Sequence, residues 1–353
     1  MVTGKARQLV HAASRARDRR WRRPPRLRYS PAPGQPATVY YLAPDLVSPS
    51  GGVRNIYRHV DALNAAGIDA AVLHTKTGFR CDWFANQTRT VGAAEITVTD
   101  ADLLVVPECY SPGLDRLPPA PRKVIFNQGH YHTYDFIPFA ETGPGAPYAD
   151  VANLAALLAV SEDGEALLGY AFPGITVRRA RLVVDGGIFH PADRPAGRRI
   201  AYLLNRRPAE REQVLHILRS RGALDGWELV PIHGRTEAET AELMRGCAFF
   251  FSFSDRDGFG LPPAEAMASG CYAIGFTGLG GREFFDPDYC APVPENDVLA
   301  FARTAETAMK AFDADPDQIT KLGLLASERV LSRYTHEALR ADLLAFYAPI
   351  LGR

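Results

Sequence analysis

The sequence has few cysteines and none of the paired spacings that hold metals or redox centres. Its five cysteines are odd in number, widely separated and mostly set in apolar runs, with no Cys-x-x-Cys pair. These features exclude zinc ribbons, thioredoxin-like sites and disulfide scaffolds. We expect buried thiols in a reducing compartment at Cys81, Cys109, Cys247, Cys271 and Cys290.

Long hydrophobic runs and net charge are also missing. No apolar stretch approaches the roughly 18 residues that a membrane span needs. The 40 basic side chains balance 40 acidic ones, which excludes the strong positive charge of a dedicated nucleic-acid-binding protein. We therefore expect a soluble or at most peripheral protein, cytoplasmic and without a nucleic-acid partner. Its 353 residues suffice for about two domains.

Positive charge is concentrated at the N-terminus. Residues 1–30 contain ten Lys or Arg side chains and one acidic residue, Asp18, and residues 24–36 are rich in proline. The segment lacks the apolar core of a secretory signal. We interpret residues 1–37 as an arm and linker outside the first core. It is either a solvated tail or a segment of residues 1–30 that is attracted to an anionic membrane surface.

After residue 37, short apolar runs alternate with helical patterns, which is typical of parallel βαβ units. Strands are predicted at residues 38–42, 70–74, 103–106, 124–127, 157–161, 200–204, 228–232, 248–252 and 272–276. A charged stretch with Pro195 and Gly197 separates two such sets. We predict two facing Rossmann-like, doubly wound α/β domains with a cleft between them. The N-terminal domain takes residues 38–192, the C-terminal domain 193–336, and residues 337–353 form a closing helix.

The most informative stretch is residues 257–268, DGFGLPPAEAMA, which follows a buried strand rich in phenylalanine. Two prolines start a helix, because proline suits the first helical position. The glycines before it let a ligand approach free backbone amides, which together with the helix end attract a phosphate. Asp257 and Glu265 flank this loop with seven residues between them. This layout favours hydroxyl groups on either side of a bound diphosphate, a sugar at one end and a ribose at the other.

The stretch resembles the signature of the GT-B glycosyltransferases of family 4, which place two acidic residues at this spacing around Gly-Phe-Gly-Leu-Pro-Pro. Further resemblances follow in family order: Gly51-Gly52 before a helix, Val160-Ser161 at a strand end, a hinge strand at 183–187, and Gly280-Gly281-Arg282-Glu283. The likeness covers nearly everything after residue 37. Within this family, the sequence most resembles bacterial cell-surface polysaccharide transferases, including rhamnosyltransferases.

The resemblance implies retaining transfer of a sugar from a nucleoside diphosphate sugar to a hydroxyl of a lipid-linked or glycan acceptor. It implies that Glu265 holds the ribose, that Asp257 with the following amides holds the donor sugar, and that arginines after the first C-domain strand neutralise the diphosphate. The candidate catalytic residues are Asp257, Glu265, Arg206 and His130. The candidate donor-binding residues are Gly51, Gly52, Arg207, Gly258, Phe259, Gly260, Leu261 and Glu283. His130 could equally be an ordinary loop histidine, Arg54 could be solvated or face the diphosphate, and Glu108 is a candidate for acceptor contact.

Two departures from the family pattern keep an alternative open. The first acidic residue is Asp257 where the family has glutamate, and Asn205 stands where a relative has arginine. The alternative is a catalytically weak or silent nucleotide-sugar-binding subunit of a glycosylation complex. A transferase acting on a small natural product is a further possibility.

We expect no metal or other cofactor. Asp255 and Asp257 form an acidic pair of the kind that binds metal in the other main glycosyltransferase fold. Pairs with the same spacing occur elsewhere in the chain, for example Asp100/Asp102 and Asp286/Asp288, so the pair is uninformative. A helix end and arginines are available for the phosphates instead.

Overall fold

The computed structural model describes residues 22–352 except 33, 136, 194 and 195. Its strands are β1 (Arg28–Tyr29), β2 (Val39–Leu42), β3 (Ala70–His74), β4 (Thr90–Gly92), β5 (Thr97–Val98), β6 (Leu103–Pro107), β7 (Arg122–Asn127), β8 (Leu154–Ala159), β9 (Val177–Arg179), β10 (Gly197–Leu203), β11 (Glu228–Ile232), β12 (Cys247–Asp257), β13 (Tyr272–Leu279) and β14 (Ala291–Val293). They form a seven-stranded sheet in the order β4-β3-β2-β6-β7-β8-β9, a five-stranded sheet in the order β11-β10-β12-β13-β14, and the small pair β1-β5.

Helices connect these strands. They are α1 (Gly51–Ala65), α2 (Glu162–Ala171), α3 (Pro208–Ser220), α4 (Glu237–Arg245), α5 (Leu261–Ala268), α6 (Val298–Ala314), α7 (Pro316–Arg333) and α8 (His336–Leu351), with 3₁₀ segments at Glu108–Arg116, His130–His132 and Gly280–Glu283. Several begin at a side-chain cap, as in α1, where the Ser50 hydroxyl accepts from the Val53 amide. None of the helices in the described ranges combines the length and apolar composition needed to cross a bilayer.

Every strand pair in the two large sheets is parallel, as the alternation of strands and helices predicts. The central strands are continuous apolar runs that are buried on both faces; β3 and β6 are buried along their whole length. All nine strands predicted from the sequence are present, with ends shifted by a few residues. The phenylalanines of β12 lie in the core as expected.

The end of the N-terminal arm belongs to the first domain, which corrects the prediction that residues 1–37 lie outside its core. β1 pairs in parallel with β5, Pro24 and Pro25 are buried, and Leu27 packs against the apolar cluster under the N-terminal sheet. The sequence pattern was misleading because a basic, proline-rich segment is typical of a linker. The few apolar side chains of this segment are nevertheless enough to hold it against the first domain. Residues 1–21, which carry the rest of the arm's charge, lie outside the described residues.

The expected hinge strand at 183–187 is also wrong. Residues 180–185 form no ladder, and the amide of Val184 instead donates to the carbonyl of Tyr334, at the junction of α7 and α8. After this junction α8 returns to the N-terminal domain and packs on α1, where the hydroxyls of Tyr347 and Tyr41 lie 2.6 Å apart. The closing helix thus ties the chain end to the first domain.

All five cysteines are free thiols, four of them buried and Cys109 partly exposed. Their burial agrees with the apolar runs in which they occur.

Candidate functional site

A cavity of about 690 Å³ lies between the two large sheets, at the carboxyl ends of their strands. Doubly wound sheets bind ligands at such ends. Its walls contain most of the predicted site residues, namely Gly51, Gly52, Arg206, Asp257, Gly258, Phe259, Gly260, Leu261 and Glu265, together with Arg54 and Asn205. Four predicted or candidate residues, Arg207, His130, Glu283 and Glu108, are not among the lining residues.

Two helix N-termini face each other across this cavity. α1 begins at Gly51 after β2, and α5 begins at Leu261 after the glycine loop that follows β12. A Cβ added to Gly51 would lie 3.2 Å from Cδ1 of Leu261, so the two ends are in near contact. Gly260 precedes α5 with φ of 98°, a conformation that favours glycine. Free amides from both domains therefore point toward a shared space that suits an anion.

Gly258 brings the loop of the second domain against the backbone of the first. A Cβ at this position would lie 1.7 Å from the carbonyl oxygen of Gln128, so only glycine permits the approach. The Gln128 side chain in turn donates to the Gly52 carbonyl at 3.0 Å and accepts from the Asn55 amide at 3.2 Å. The structure thus has a closed cleft whose two loops touch at Gly258.

Glu265 lies in the first turns of α5 and is buried. Its Oε1 accepts from Arg54 of α1 at 3.0 Å, and the same guanidinium contacts Glu237 at 2.7 Å. Burial raises the pKa of Glu265, and the charge of Arg54 opposes that rise. Arg54 therefore faces the cavity and crosses the cleft, which resolves the open question about its placement.

Asp257 lies at the end of β12 and pairs with Arg206 at 3.1 Å. Its Oδ2 is buried and accepts no hydrogen bond from the described residues. Burial raises the pKa of Asp257, while Arg206 favours the ionised form. Arg206 itself keeps 39% of its side chain exposed, so its guanidinium is accessible to a ligand. This pair supplies a carboxylate and a cation at the same wall.

Arg207, although adjacent to Arg206, is turned away and its charge is neutralised. Its guanidinium contacts Glu295 at 2.7 Å and Asp255 at 3.1 Å, and it stacks over the Phe276 ring. Only 9% of the side chain is exposed. The predicted contact of Arg207 with the donor is not supported by this placement. Arg207 is the residue before α3 and has a left-handed backbone, with φ of 34°, and its side chain lies among these acidic partners.

Glu283 serves an ion-pair network between the domains instead of the cavity. Its carboxylate accepts from the Tyr334 hydroxyl at 2.8 Å and from the Glu162 amide at 2.6 Å, and it contacts Arg179 at 3.4 Å. Its side chain is 2% exposed. These partners occupy the carboxylate, so its predicted role in donor binding is not supported.

His130 is fully buried beside Asp163, with Nε2 2.8 Å from Oδ2. Burial lowers the pKa of His130, and Asp163 partly offsets this effect. Glu108 accepts from the Gln128 amide at 3.1 Å, and burial raises its pKa. Both residues support the loop that carries Gln128, and neither faces the cavity.

Sequence reasoning missed several wall residues. The loop after β11, residues 233–236, lines the cavity, as do Gln128, Trp83 and Phe84. The 233–236 loop could have been found, because it follows the carboxyl end of a predicted strand. The two aromatic residues come from a segment without regular structure, which gave no signal.

The acidic pair Asp255/Asp257 does not converge. Each carboxylate contacts a different arginine, Arg207 and Arg206 respectively, at 3.1 Å. Within the part of the chain that the structure describes, no group of three His, Cys, Asp or Glu side chains is arranged to hold a metal ion.

The chain is similar to known glycosyltransferases. No protein-family model matches it. An alpha-1,6-glucosyltransferase of Actinobacillus pleuropneumoniae serotype 7 is 26% identical over 270 residues, 72% of this chain and 78% of the relative. The sucrose-phosphate synthase of Thermosynechococcus elongatus superposes with a TM-score of 0.63 at 15% identity, over 90% of this chain and 99% of that one. Anabaena HepE, in complex with UDP and glucose, superposes with a TM-score of 0.60 at 11% identity, over 89% and 100%. The two facing parallel-sheet units and these likenesses confirm that the chain has the GT-B fold of glycosyltransferases.

Proposed function

We propose that this protein is a retaining glycosyltransferase that moves a sugar from a nucleoside diphosphate sugar to a hydroxyl acceptor, in the synthesis of a cell-surface glycan. The observation that carries the proposal is the joint placement of two opposed helix N-termini, an accessible arginine and two buried carboxylates around one cavity. A nucleoside diphosphate sugar can use all of these groups. Its diphosphate binds to the helix ends and the arginine, and its sugar and ribose hydroxyls bind to the carboxylates.

The residues divide the donor between them. The amides at Gly51, Gly52 and Leu261, with Arg206, stabilise the diphosphate. Asp257, on the cavity wall beside Arg206, accepts from a hydroxyl of the donor sugar. Glu265 has one oxygen on Arg54 and a second one for a ribose hydroxyl.

Catalysis in this proposal is electrostatic. Charge develops on the departing diphosphate, and the opposed helix ends and Arg206 are already oriented toward it, so little reorganisation is needed. The leaving oxygen takes the proton of the acceptor hydroxyl on the same face of the sugar, which retains the anomeric configuration. No protein nucleophile and no metal take part.

The donor to test first is UDP-glucose. The relative from Actinobacillus is named a glucosyltransferase, and HepE was crystallised with UDP-glucose. We further propose that the enzyme acts in the cytoplasm on a lipid-linked or glycan acceptor and that the basic residues within 1–30 bring it to the anionic inner face of the membrane.

The deciding experiment measures donor turnover and donor binding by the purified chain. We expect slow hydrolysis of UDP-glucose without acceptor and faster UDP release with a lipid-linked acceptor. Arg206→Ala should lower both rates, whereas the exposed Arg303→Ala, on the far helix α6, should not. Binding of UDP-glucose without any turnover would overturn the enzyme proposal and favour a silent binding subunit. Absence of binding by a whole panel of nucleoside diphosphate sugars would overturn both.

A further inference from the structure

A second cavity, of about 680 Å³, lies where the end of the N-terminal arm meets the first domain. Four arginines line it: Arg23, Arg26 and Arg28 from the arm, and Arg116 from the end of the 3₁₀ segment after β6. The remaining walls include Thr75, Ala93 and Ala94. Arginine in such number at one cavity has the chemistry of a phosphate site.

The arm is held in place by contacts that do not use up this charge. Pro24 and Pro25 are buried, and Pro24 packs close to Gly113. Arg28 fixes the arm by donating to the carbonyls of Ala94 and Ile96. These acceptors are neutral, so Arg28 anchors the strand without pairing its charge to an acidic side chain of residues 22–352 outside the gaps named above.

The other three arginines have no anionic partner in the described ranges. Arg23 and Arg26 are exposed and form no ion pair there, and neither does Arg116. The Nε of Arg116 is buried without any hydrogen-bond partner among the described residues. A buried, unsatisfied donor is costly unless a ligand or water meets it. Among the described residues, the wall of this cavity therefore carries arginine charge without an ion-pair partner, and the Nε of one of these arginines has no acceptor.

The cavity lies at the edge of the N-terminal domain. Thr75 follows β3, Ala93 and Ala94 follow β4, and Arg116 ends the segment that follows β6. Gly51 follows β2 of the same sheet, so both cavities lie beyond the carboxyl ends of parallel strands. A long acceptor that reaches the candidate cleft over the N-terminal domain can place an anionic group here.

We propose that this arginine cavity binds a phosphate group, and that in turnover it holds the phosphate of an anionic acceptor. The second part rests on the proposed function; the binding itself does not. The phosphate has two candidate sources, a lipid at a membrane surface or a soluble phosphorylated glycan, which share the same recognition chemistry.

The test measures binding of inorganic pyrophosphate to the full chain with the first cavity saturated by UDP. The variant Arg23→Ala/Arg26→Ala/Arg116→Ala is compared with Arg219→Ala/Arg303→Ala/Arg329→Ala, which removes three exposed arginines of the second domain. We expect at least about a tenfold rise in Kd for the first and no more than about a twofold change for the second, because charge-assisted bonds to phosphate are strong. Equal Kd in wild type and the first variant, or no binding by wild type, would overturn the proposal.

The single variant Arg116→Ala distinguishes binding in the cavity from binding to the charged N-terminal arm, because it leaves every residue of the arm unchanged. It should weaken pyrophosphate binding and leave the Tm of the ligand-free protein within about a degree or two of wild type. Unchanged pyrophosphate binding would contradict the proposal that the cavity is the binding site.

Flotation with phosphatidylglycerol and phosphatidylcholine vesicles then identifies the source of the phosphate. Flotation that falls in Arg116→Ala assigns a lipid phosphate, and unchanged flotation with weakened pyrophosphate binding assigns a soluble one. A failure of UDP to bind would count against the proposed function only.

Discussion

Asp257 and Glu265 share a physical situation: each is a buried carboxylate with a raised pKa and one arginine partner. Arg206 and Arg54 approach them from opposite sides of the cleft. Each arginine contacts one oxygen of its carboxylate, and both carboxylates belong to residues that line the cavity. Asp257 is one methylene shorter than the glutamate of the pattern that the stretch resembles, and Arg206 lies beside it at 3.1 Å.

At this scale we expect Glu265→Gln to lower kcat/KM for donor hydrolysis at least about tenfold, since a hydrogen bond to a buried charge contributes about 1.5–3 kcal/mol. Glutamine keeps the size of the side chain, so the Tm should change little. Glu328→Gln, an exposed glutamate on α7, is the matched control. Wild-type efficiency in Glu265→Gln would remove Glu265 from the site.

A chelator experiment tests the proposed metal-independence. If Arg206 and the two helix ends neutralise the phosphate charge as proposed, transfer should persist in excess EDTA. Loss of activity with EDTA and its return with Mg²⁺ or Mn²⁺ would show that the Asp255/Asp257 pair, or another set, holds a required ion.

At the scale of loops and helices, the contact between Gly258 and Gln128 fixes how closely the two domains approach. Gly258→Ala should lower kcat/KM by at least about tenfold, because the added Cβ overlaps the Gln128 carbonyl and separates the loops by more than a near-attack geometry tolerates. Gly258 does not have a positive φ, so alanine is acceptable to its own loop. Gly169 lies in α2 with open space around an added Cβ, so Gly169→Ala should leave kcat/KM unchanged. A silent Gly258→Ala would show that this closed contact is not the reactive one.

The packing of α8 on α1 buries His59 completely, beside the Tyr41 hydroxyl at 3.1 Å. Burial lowers the pKa of His59 to about 3. Below pH 6.5, His59 therefore becomes protonated in the unfolded chain but stays neutral in the folded chain. The free energy of unfolding falls as the pH falls toward 3. This one residue should reduce the free energy of unfolding by about 2 kcal/mol between pH 7.5 and pH 5. Urea titrations at both pH values check it. In His59→Gln the difference between the two pH values should shrink by that amount, and an undiminished difference would mean that other groups cause it.

At the scale of the whole molecule, the arm divides into two parts with different expected roles. Residues 22–30 dock on the first domain, so removal of residues 1–33 should lower the Tm by several degrees through lost burial of Pro24, Pro25 and Leu27. Removal of residues 1–21 should leave the Tm nearly unchanged.

The same two truncations test membrane attraction. Removal of residues 1–21 deletes six of the ten basic side chains of residues 1–30, each of which contributes about 1 kcal/mol near an anionic surface. Flotation with anionic vesicles at low salt should therefore fall sharply, and binding of the full chain should weaken as ionic strength rises. Equal flotation of full-length and truncated protein would assign no membrane role to residues 1–21.

The parallel α/β architecture can be predicted from local patterns in the sequence. Strands buried in a parallel sheet are short apolar runs, and the helices and glycine loops between them have their own periodicity and composition. The glycine loop with Asp257 and Glu265 can be predicted as well, since those residues lie within one contiguous motif. Other features of the site are visible only in the folded chain. They are which of two adjacent arginines faces the cavity, the contacts that bind Glu283 and His130 to neighbouring residues, and the contact of Arg54 with Glu265 across 211 positions of the chain. The position of residues 22–30 beside Arg116 is likewise visible only in the folded chain. These outcomes depend on distances between elements far apart in sequence, and no local pattern of residues encodes such distances.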